Sequence, residues 1–532
     1  MAYYALHAYD ADVRIPMFTG LRQSDEMAVD LRFAMQAENV ETPRGVLQPQ
    51  AGNTIMEGGF ENRIETIARF YRRWYTGSGS KEWLVCACGG KLYYRQSGGR
   101  HEWTEIQMPS GVESFQSNTW SWVTYEDDGI DVLLMSNAKD GMVMVSPPDR
   151  PTTWDDVATH YTWEELVALT WDEVYSPKWT ITAVDTGDYK FGVIERHAER
   201  IWGGAIPDEP DTLVYSATYD PTDWRKYPPE GEDPDDPRYD PENGAGDIRQ
   251  PSWDGDSFTA LRSFGSQLIA FKGLRVWRIM GVSPGEYQFV EQYGGGTYFP
   301  NTICVDVQRI LLAEKDGLSV YDGSTVSPFN RPYIERFWKT INRDAMHQMC
   351  AALFKHRYYI AVPTGNSTVN NALIVYNTEE GSFLVYTDIY IESLLATEEI
   401  LYATTSSLPG KVMLINYDSW ETGETSGKDA KWETPWMDFN FKTIAKGGYE
   451  IYFNPEVRTF PVTFRFSIQT EKKIKTKTVT IQPTVDKNKQ KRIRFGGTSR
   501  RFKLIIEALP VSPKATWRLT GGVQMVVETD PD

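Results

Sequence analysis

The chain has few cysteines, few histidines and no long apolar segment. Of its 532 residues, four are Cys and six are His. No stretch approaches the roughly 18 consecutive apolar residues that a membrane-spanning helix needs. Residues 1–18 show neither the basic region nor the apolar region of a signal peptide. We therefore expect no membrane span and a product that is made in the cytoplasm without a leader sequence.

Motifs for catalysis and metal binding are lacking as well. Cys86 and Cys88 lie in an apolar, strand-like run without further ligands nearby, which favours buried free thiols over a metal site. No nucleophile elbow, Walker loop or zinc-protease motif occurs. The glycine cluster at 294–298 lacks the residues of a phosphate loop and is predicted to be a turn, and His197 is predicted to be a hydrogen-bonded structural residue. We expect no enzymatic activity, no catalytic residue, no cofactor and no metal ion.

Aromatic residues are abundant, and charge is unevenly distributed. The chain holds 18 Trp, 29 Tyr and 23 Phe, a composition that favours strands over helices. The net charge of −18 argues against a general nucleic-acid binder, because neutralising phosphates takes clustered Lys and Arg. Residues 472–503 nevertheless contain twelve Lys and Arg residues and one acidic residue, Asp486. This basic stretch supplies six candidate interface residues: Lys472, Lys473, Lys475, Lys477, Arg492 and Arg494.

The middle of the chain carries a repeating strand pattern that predicts an all-β fold. From about residue 81 to about residue 417, short apolar or alternating runs are separated by Gly, Asp-Gly and Asn turns. The Gly89-Gly90 pair between two apolar runs, for example, predicts a hairpin. About seven groups of three or four strands, recurring about every 40 to 50 residues, predict a β-propeller of four-stranded blades over residues 61–420. A long β-sandwich is the competing architecture, and the meander repeat disfavours it.

The two ends of the chain differ from this middle part. Residues 1–60 look extended and have no core of their own, so we predict a strap that runs along other parts of the fold or along a neighbour. Residues 430–532 alternate strongly, as in VTFRFSIQT, and predict a C-terminal β-sandwich with one solvent-exposed face.

In the propeller, Asp316-Gly317 is predicted to form a two-residue hairpin turn in which Gly317 takes a positive φ.

Two insertions interrupt the strand pattern. Residues 151–178 contain Trp154, Trp163 and Trp171, each preceded by Thr and followed by two acidic residues, which predicts short helical pieces with Thr N-caps. We interpret these tryptophans as candidate interface residues that join a surface loop to the body or to an adjacent subunit, with carbohydrate stacking as the alternative. Residues 228–247 are rich in Pro and carboxylates, which predicts an exposed loop, and the prolines break the ligand spacing of an EF-hand calcium loop.

Four segments occur in a characteristic order along the first two thirds of the chain. They are ADVRIPMFTGLRQSDEMAVDLRFAMQAENVETPRGVLQPQAG (11–52), LVYSATYDPTDW (213–224), DGDSFTALRSFGSQLIAFKGLRVWRIMG (254–281) and DGLSVYDGSTVSPF (316–329). In this combination they resemble segments of propeller-containing tail proteins of short-tailed bacteriophages, which form the tail nozzle or hub family and include related virion stabilization proteins. The C-terminal sandwich also suits that family.

The resemblance implies a structural subunit of the virion tail, made in the cytoplasm of a bacterial host. Such a subunit forms a ring, expected to hold six copies, that continues the DNA channel below the portal and adaptor and serves genome retention and ejection. Its partners would be other copies of itself, adaptor or portal-side proteins, tail fibre or plug proteins, and the genomic DNA in passage. An acidic lumen would repel DNA phosphates, and the basic stretch would face an acidic neighbour unless it is an ordinary solvated sheet face.

Two other functions are compatible with a propeller of this composition. One is a propeller on the virion surface that binds host glycan, with the tryptophans as stacking platforms. The other is a propeller glycosidase, which would need paired carboxylates and an Arg cluster at the channel mouth. The Asp-box repeat of sialidases is not recognisable in the sequence.

Overall fold

The computed structural model describes most of the chain, namely residues 10–23, 30–56, 58–72, 81–96, 102–127, 130–147, 162–168, 179–225, 242–249, 255–438, 445–483 and 490–530. Within these residues the protein is almost entirely β-structure, consisting of a seven-bladed propeller and a β-sandwich. The predicted fold class is therefore confirmed. None of the helices in the described part of the chain is long and apolar enough to cross a membrane.

The N-terminal segment contributes five short strands that lie in four different sheets, with β3 and β4 paired to each other. Their bounds are β1 (Asp10–Ile15), β2 (Gln36–Glu38), β3 (Val40–Glu41), β4 (Gln48–Pro49) and β5 (Asn53–Ile55).

The propeller follows and contains the strands β6 to β32. The first four blades use β6 (Ile64–Arg72), β7 (Lys81–Cys88), β8 (Lys91–Gln96), β9 (Thr104–Glu105), β10 (Ser121–Asp127), β11 (Ile130–Asn137), β12 (Gly141–Ser146), β13 (Thr180–Ala183), β14 (Val193–His197), β15 (Arg200–Gly204), β16 (Thr212–Tyr215), β17 (Gly246–Arg249), β18 (Phe258–Phe264), β19 (Gln267–Lys272), β20 (Val276–Met280) and β21 (Gln288–Gln292). Blades five to seven use β22 (Cys304–Asp306), β23 (Arg309–Glu314), β24 (Gly317–Tyr321), β25 (Val326–Pro328), β26 (Cys350–Phe354), β27 (Arg357–Val362), β28 (Ala372–Asn377), β29 (Ser382–Thr387), β30 (Ser393–Ala396), β31 (Leu401–Thr404) and β32 (Val412–Ile415).

Each of the first six blades consists of four consecutive antiparallel strands, and the seventh is completed by the N-terminus. There β5 pairs with β32 as the outermost strand, and β30 lies against β6 of the first blade, which closes the ring. Apolar side chains fill the spaces between blades. Between blades one and two, for example, Trp179 contacts the rings of Phe70, Trp83 and Tyr94. The ring is thus held by packing between blades and by one strand from a distant part of the chain.

The sandwich contains the last seven strands, β33 (Ala430–Glu433), β34 (Ala445–Val457), β35 (Val462–Thr470), β36 (Ile474–Ile481), β37 (Lys491–Ser499), β38 (Phe502–Pro510) and β39 (Trp517–Asp530). One of its sheets has the order β1-β39-β34-β37, and the other has the order β2-β33-β38-β35-β36. Alternate aromatic residues meet between the sheets, since the ring centroids of Phe464 and Trp517 are 5.2 Å apart and those of Phe453 and Phe466 are 4.5 Å apart. The period-two pattern of the sequence therefore produces a shared aromatic core.

Strand β2 joins the propeller to the sandwich. It pairs in parallel with β29, the outer strand of blade six, and antiparallel with β33 of the sandwich. Blade six and the second sandwich sheet are consequently one continuous sheet of nine strands. Ile15, Phe18 and Leu21 are buried beside these strands. The strap was predicted to run either along other parts of the same fold or along a neighbour. Its described residues run along other parts of the same chain.

Helical structure is sparse among the described residues. There are three short α-helices, α1 (Trp163–Ala168), α2 (Glu335–Trp338) and α3 (Ser419–Thr422), and four 3-10 turns, Pro43–Gly45, Pro284–Glu286, Pro300–Thr302 and Arg343–Gln348. Helix α1 confirms one of the predicted helical pieces in the tryptophan-containing insertion. The rest of that insertion, and most of the acidic insertion up to residue 241, lie outside the described residues.

The prediction of a positive φ at Gly317 is wrong. Gly317 is the first residue of β24 and pairs with Glu314, so the hairpin turn consists of Lys315 and Asp316. Gly317 is not among the residues with positive φ. A glycine is required there for a different reason, because a Cβ atom on Gly317 would lie 2.4 Å from Oδ1 of the buried residue Asn330.

We expect Gly317→Val to lower the free energy of unfolding by about 1–3 kcal/mol, because the added side chain overpacks the site occupied by Asn330. Thermal unfolding followed by circular dichroism measures the loss. The double variant Gly317→Val/Asn330→Ala should recover part of it, since the alanine frees the space. Strictly additive losses in the two single variants would contradict this explanation.

Candidate interaction surface

One of the three candidate tryptophans, Trp163, lies on a solvent-exposed helix face. Trp163 begins α1 and is 78% exposed, and Val167 is 82% exposed. The two are four residues apart, so their side chains lie on the same side of the helix. Trp154 and Trp171 lie outside the described residues. The described part of the insertion therefore presents an apolar face to solvent, as an interface or a stacking platform would.

Strand β36 places two of the candidate lysines on the inner side of the sandwich edge. Lys475 and Lys477 pair with Ile468 and Phe466 of β35, whose side chains are buried in the core. Residues paired across two strands point to the same face, so both lysines face inward, toward the other sheet. They lie at the open edge because β36 is the last strand of the nine-stranded sheet.

The facing strand β37 accommodates these two lysines. The ammonium group of Lys475 donates a hydrogen bond to the carbonyl oxygen of Gly496, and the Lys477 nitrogen lies 5.8 Å from the centre of the Phe495 ring. Lys472 and Lys473 are exposed and lie between β35 and β36. We call these four lysines, Lys472, Lys473, Lys475 and Lys477, the basic edge.

The two candidate arginines lie on a different surface. Arg492 and Arg494 alternate with the buried residues Ile493 and Phe495 along β37 and therefore point outward from the first sheet. Both form ion pairs with one carboxylate, that of Glu450 on the neighbouring strand β34. The hydroxyl of Tyr452 also donates to Glu450, over 2.6 Å.

The nine candidate residues thus do not form one patch, and part of the basic charge is neutralised. Besides Glu450, Glu471 pairs with Arg501 and Glu433 pairs with Lys503. All three glutamates lie outside the basic stretch, so a count along that stretch misses them. Only the strand register, in which Glu450 stands opposite Arg494, reveals the compensation. None of the ion pairs between described residues of the sandwich involves a lysine of the basic edge, so positive charge is left uncompensated there.

Polar residues on the inner propeller strands connect neighbouring blades, and apart from His197 the sequence did not single them out. Glu195 of β14 lies 3.7 Å from Arg262 of β18 and accepts a hydrogen bond from the Ser263 amide over 3.1 Å. Burial raises the pKa of Glu195, and Arg262 opposes that shift. Nδ1 of His197 lies 2.9 Å from the hydroxyl of Ser263, and burial lowers the pKa of His197. These contacts join blades three and four, and they confirm the prediction that His197 is hydrogen-bonded.

Cys86 and Cys88 occupy the predicted environment of buried free thiols. Cys86, Cys88 and Cys350 are buried free thiols, and Cys304 is a partly buried one. Burial raises the pKa of Cys304 to about 12, so its thiol stays protonated at neutral pH. Within the described ranges, no group of three or more His, Cys, Asp or Glu residues is placed to hold a metal ion.

A cleft of about 610 Å³ lies at one face of the propeller, beside blades one and two. Asp140 is in its wall, and its carboxylate accepts hydrogen bonds from the amides of Gln116 and Ser117 and from the Asn137 side chain. This carboxylate therefore holds the loop between the two blades. The glycine cluster at 294–298 lies in the irregular link between blades four and five, where the chain bends at residues 294 and 298, so a bend stands where the sequence predicted a turn.

No protein-family model matches the chain, and no curated protein matches it. Among solved structures, the chain is similar to the computationally designed Ika8 protein, with 10% identity and a TM-score of 0.35 over 76% of this chain and 99% of that chain. It is also similar to the WD40 domain of Neurospora crassa Pan2, with 8% identity and a TM-score of 0.34 over 70% and 96% of the two chains. A third similar structure is the extracellular domain of a hybrid two-component system from B. thetaiotaomicron, with 12% identity and a TM-score of 0.38 over 69% and 40%. Similarities at these TM-scores do not indicate a function.

Proposed function

We propose that the chain is a structural subunit of a bacteriophage tail, forming the nozzle or hub ring that continues the DNA channel. The observation that carries the proposal is the ordered set of four segments that resemble those of tail nozzle proteins. In the fold, the first segment is the strap, and the other three lie in blades three, four and five. The resemblance therefore covers the strap and parts of three of the seven blades.

The three blade segments share a physical device. Each contains an aspartate whose carboxylate accepts two backbone N–H groups and thereby fixes a turn. Asp220 accepts from the amides of Thr222 and Asp223, Asp256 from those of Gly273 and Leu274, and Asp322 from those of Ser324 and Thr325. Aspartate is favourable at these positions because its short side chain reaches the amides of the same or a facing turn. The three aspartates thus hold the turns within and between strands of blades three, four and five.

The connection between the two parts suits a subunit that must keep its shape under load. Propeller and sandwich share the nine-stranded sheet, so relative motion between them would break backbone hydrogen bonds of β2. The net charge of −18 suits a channel wall, since a negative surface repels the DNA backbone and lets it pass without binding.

Electron microscopy tests the proposal directly. The purified chain is expected to form closed rings of six copies, and an antibody against the chain is expected to label virions at the tail, below the portal. Neighbouring copies in such a ring contact each other head to tail. Each copy must therefore present two different surfaces, one to each neighbour. Labelling elsewhere on the virion, or single isolated copies in the tail, would refute the proposal.

A glycan-binding propeller on the virion surface is the second candidate, and the exposure of Trp163 favours it. A tryptophan that is 78% exposed offers its ring face to a sugar. A glycan array probed with the purified chain, with Trp163→Ala for comparison, decides between the two. Binding that is lost in the variant, by a protein that stays monomeric, would support the second candidate. Release of free sugar in the same assay would indicate the glycosidase alternative.

A further inference from the structure

Strand β36 has an open edge. It is the end strand of the nine-stranded sheet, with all of its hydrogen-bonded neighbours in β35. In the described part of the chain, no strand pairs with its other side. The strand is eight residues long, from Ile474 to Ile481, which is enough to bind an extended segment along its full length. An edge of this kind presents a row of backbone donors and acceptors that can pair with a further strand.

The side chains of this edge oppose pairing with a second copy of itself. Lys475 and Lys477 face inward at the edge, and inward-facing charges on an edge strand prevent edge-to-edge association. Two β36 strands placed side by side would bring the lysines of both copies onto shared faces, where like charges repel. The same lysines would attract a strand that carries carboxylates, so the edge distinguishes partners by charge.

The outward face of the strand is suited to a β-partner. Ile474 is 58% exposed, and it is followed on the same face by Thr476 and Thr478, which are also exposed. Exposed β-branched residues favour cross-strand contacts with other β-branched or apolar side chains. One face of an added strand would therefore meet Lys475 and Lys477 along its first half and Val479 and Ile481 beyond them, and the other face would meet isoleucine and threonine.

We propose that β36 binds an extended acidic segment of another protein, which adds to the sheet as its tenth strand. Carboxylates at every second position of that segment lie beside Lys475 and Lys477, and β-branched residues at the intervening positions lie beside Ile474 and Thr476. The inference deepens the proposed function, on which it rests in one respect: the partner is taken to be a neighbouring component of the tail.

A synthetic peptide tests this site on the purified full chain. The probe is an eight-residue peptide in which glutamate alternates with valine and threonine, and the control peptide has glutamine in place of glutamate. Isothermal titration calorimetry is expected to show saturable binding of the glutamate peptide that weakens as salt is added. The double variant Lys475→Glu/Lys477→Glu is expected to bind it at least about tenfold more weakly, because two attractive cross-strand pairs become repulsive.

Matched variants separate this site from other basic surfaces. Arg492→Glu/Arg494→Glu changes the outer face of β37, and Lys514→Glu changes an exposed lysine elsewhere in the sandwich, so both should bind the peptide as the wild type does. Lys475→Gln/Lys477→Gln removes the charge without reversing it and should show an intermediate loss, even if the glutamate variant folds poorly. N-methylation of alternate peptide amides along one edge of the peptide should abolish binding, whereas methylation along the other edge should not.

Four results would overturn the inference: no saturable binding, equal binding of the glutamine peptide, equal binding by the Lys475→Glu/Lys477→Glu variant, or equal binding of both N-methylated peptides. These results do not depend on ring formation. If rings form but the peptide does not bind, the edge serves only to prevent aggregation and the tail proposal stands. If the peptide binds but the virion label lies outside the tail, the acidic partner stands and the tail proposal fails.

Discussion

Deletion of residues 1–50 is expected to unfold the sandwich and to loosen blade six. The deletion removes β1 from one sandwich sheet and β2 from the other, together with the buried side chains of Ile15, Phe18 and Leu21. Burying one such side chain contributes about 1.5–3 kcal/mol. The loss from three of them is comparable to the total stability of about 5–15 kcal/mol that folded domains have. Thermal unfolding and limited proteolysis of the truncated chain measure the effect.

A pair of single substitutions serves as the control for the deletion. Phe18 is buried, with its ring centre 5.0 Å from that of Trp432, so Phe18→Ala should cost about 3–5 kcal/mol. Its neighbour Met17 is 42% exposed, and Met17→Ala should change stability by less than about 0.5 kcal/mol. A truncated chain that melts at the wild-type temperature would show that the strap has no structural role within its own chain.

Glu41→Ala is expected to lower the free energy of unfolding by about 3–5 kcal/mol, because it leaves a buried cation without its counter-charge. Glu41 and Arg357 are both buried, with 3.8 Å between the carboxylate oxygen and the guanidinium nitrogen. The carboxylate also accepts hydrogen bonds from the Gln48 side chain and the Ala51 amide, each over 3.2 Å. Chemical denaturation of the single variants and of Glu41→Ala/Arg357→Met measures the coupling. Additive losses would show that the pair does not interact.

The same glutamate gives a pH dependence with a definite sign. Burial raises the pKa of Glu41 above its ordinary value of 4.5, so the native state binds more protons than the unfolded chain between that value and the native pKa. Stability therefore falls as the pH rises through this window. Glu41→Gln cannot titrate at this position. We expect the stability of the wild type, relative to Glu41→Gln, to fall as the pH rises from about 4.5 and to become constant above the native pKa.

Local patterns in the sequence were sufficient to predict the propeller blades and the sandwich. The turn at Gly89-Gly90 is an example, since both glycines have positive φ, 60° and 78°, as a two-residue hairpin between apolar runs requires. The alternation in β35 likewise predicts which side chains enter the core. Such signals depend on residues that are neighbours along the chain.

Contacts between distant parts of the chain were not predictable in this way. The requirement for glycine at 317 comes from Asn330, the charge of Arg494 is balanced by Glu450, and the strap residue Glu41 meets Arg357. None of these pairs has a spacing that a periodic pattern reveals. For the candidate interface, the sequence identified exposed charged and aromatic residues, but it could not divide them between the basic edge and the outer face of β37.

The use of β5 to complete blade seven has a consequence for the order of folding. During synthesis the first blades emerge long before β32, so residues 53–55 must remain unpaired until more than three hundred further residues have been made. Strand β1 must wait longer still, because its partner β39 belongs to the sandwich, and β2 can pair with β29 before β32 is made but can pair with β33 only later. Contacts of such large sequence separation form slowly. Ring closure and sandwich assembly are therefore late events in folding, and until then the growing protein exposes unpaired strands that chaperones would have to shield.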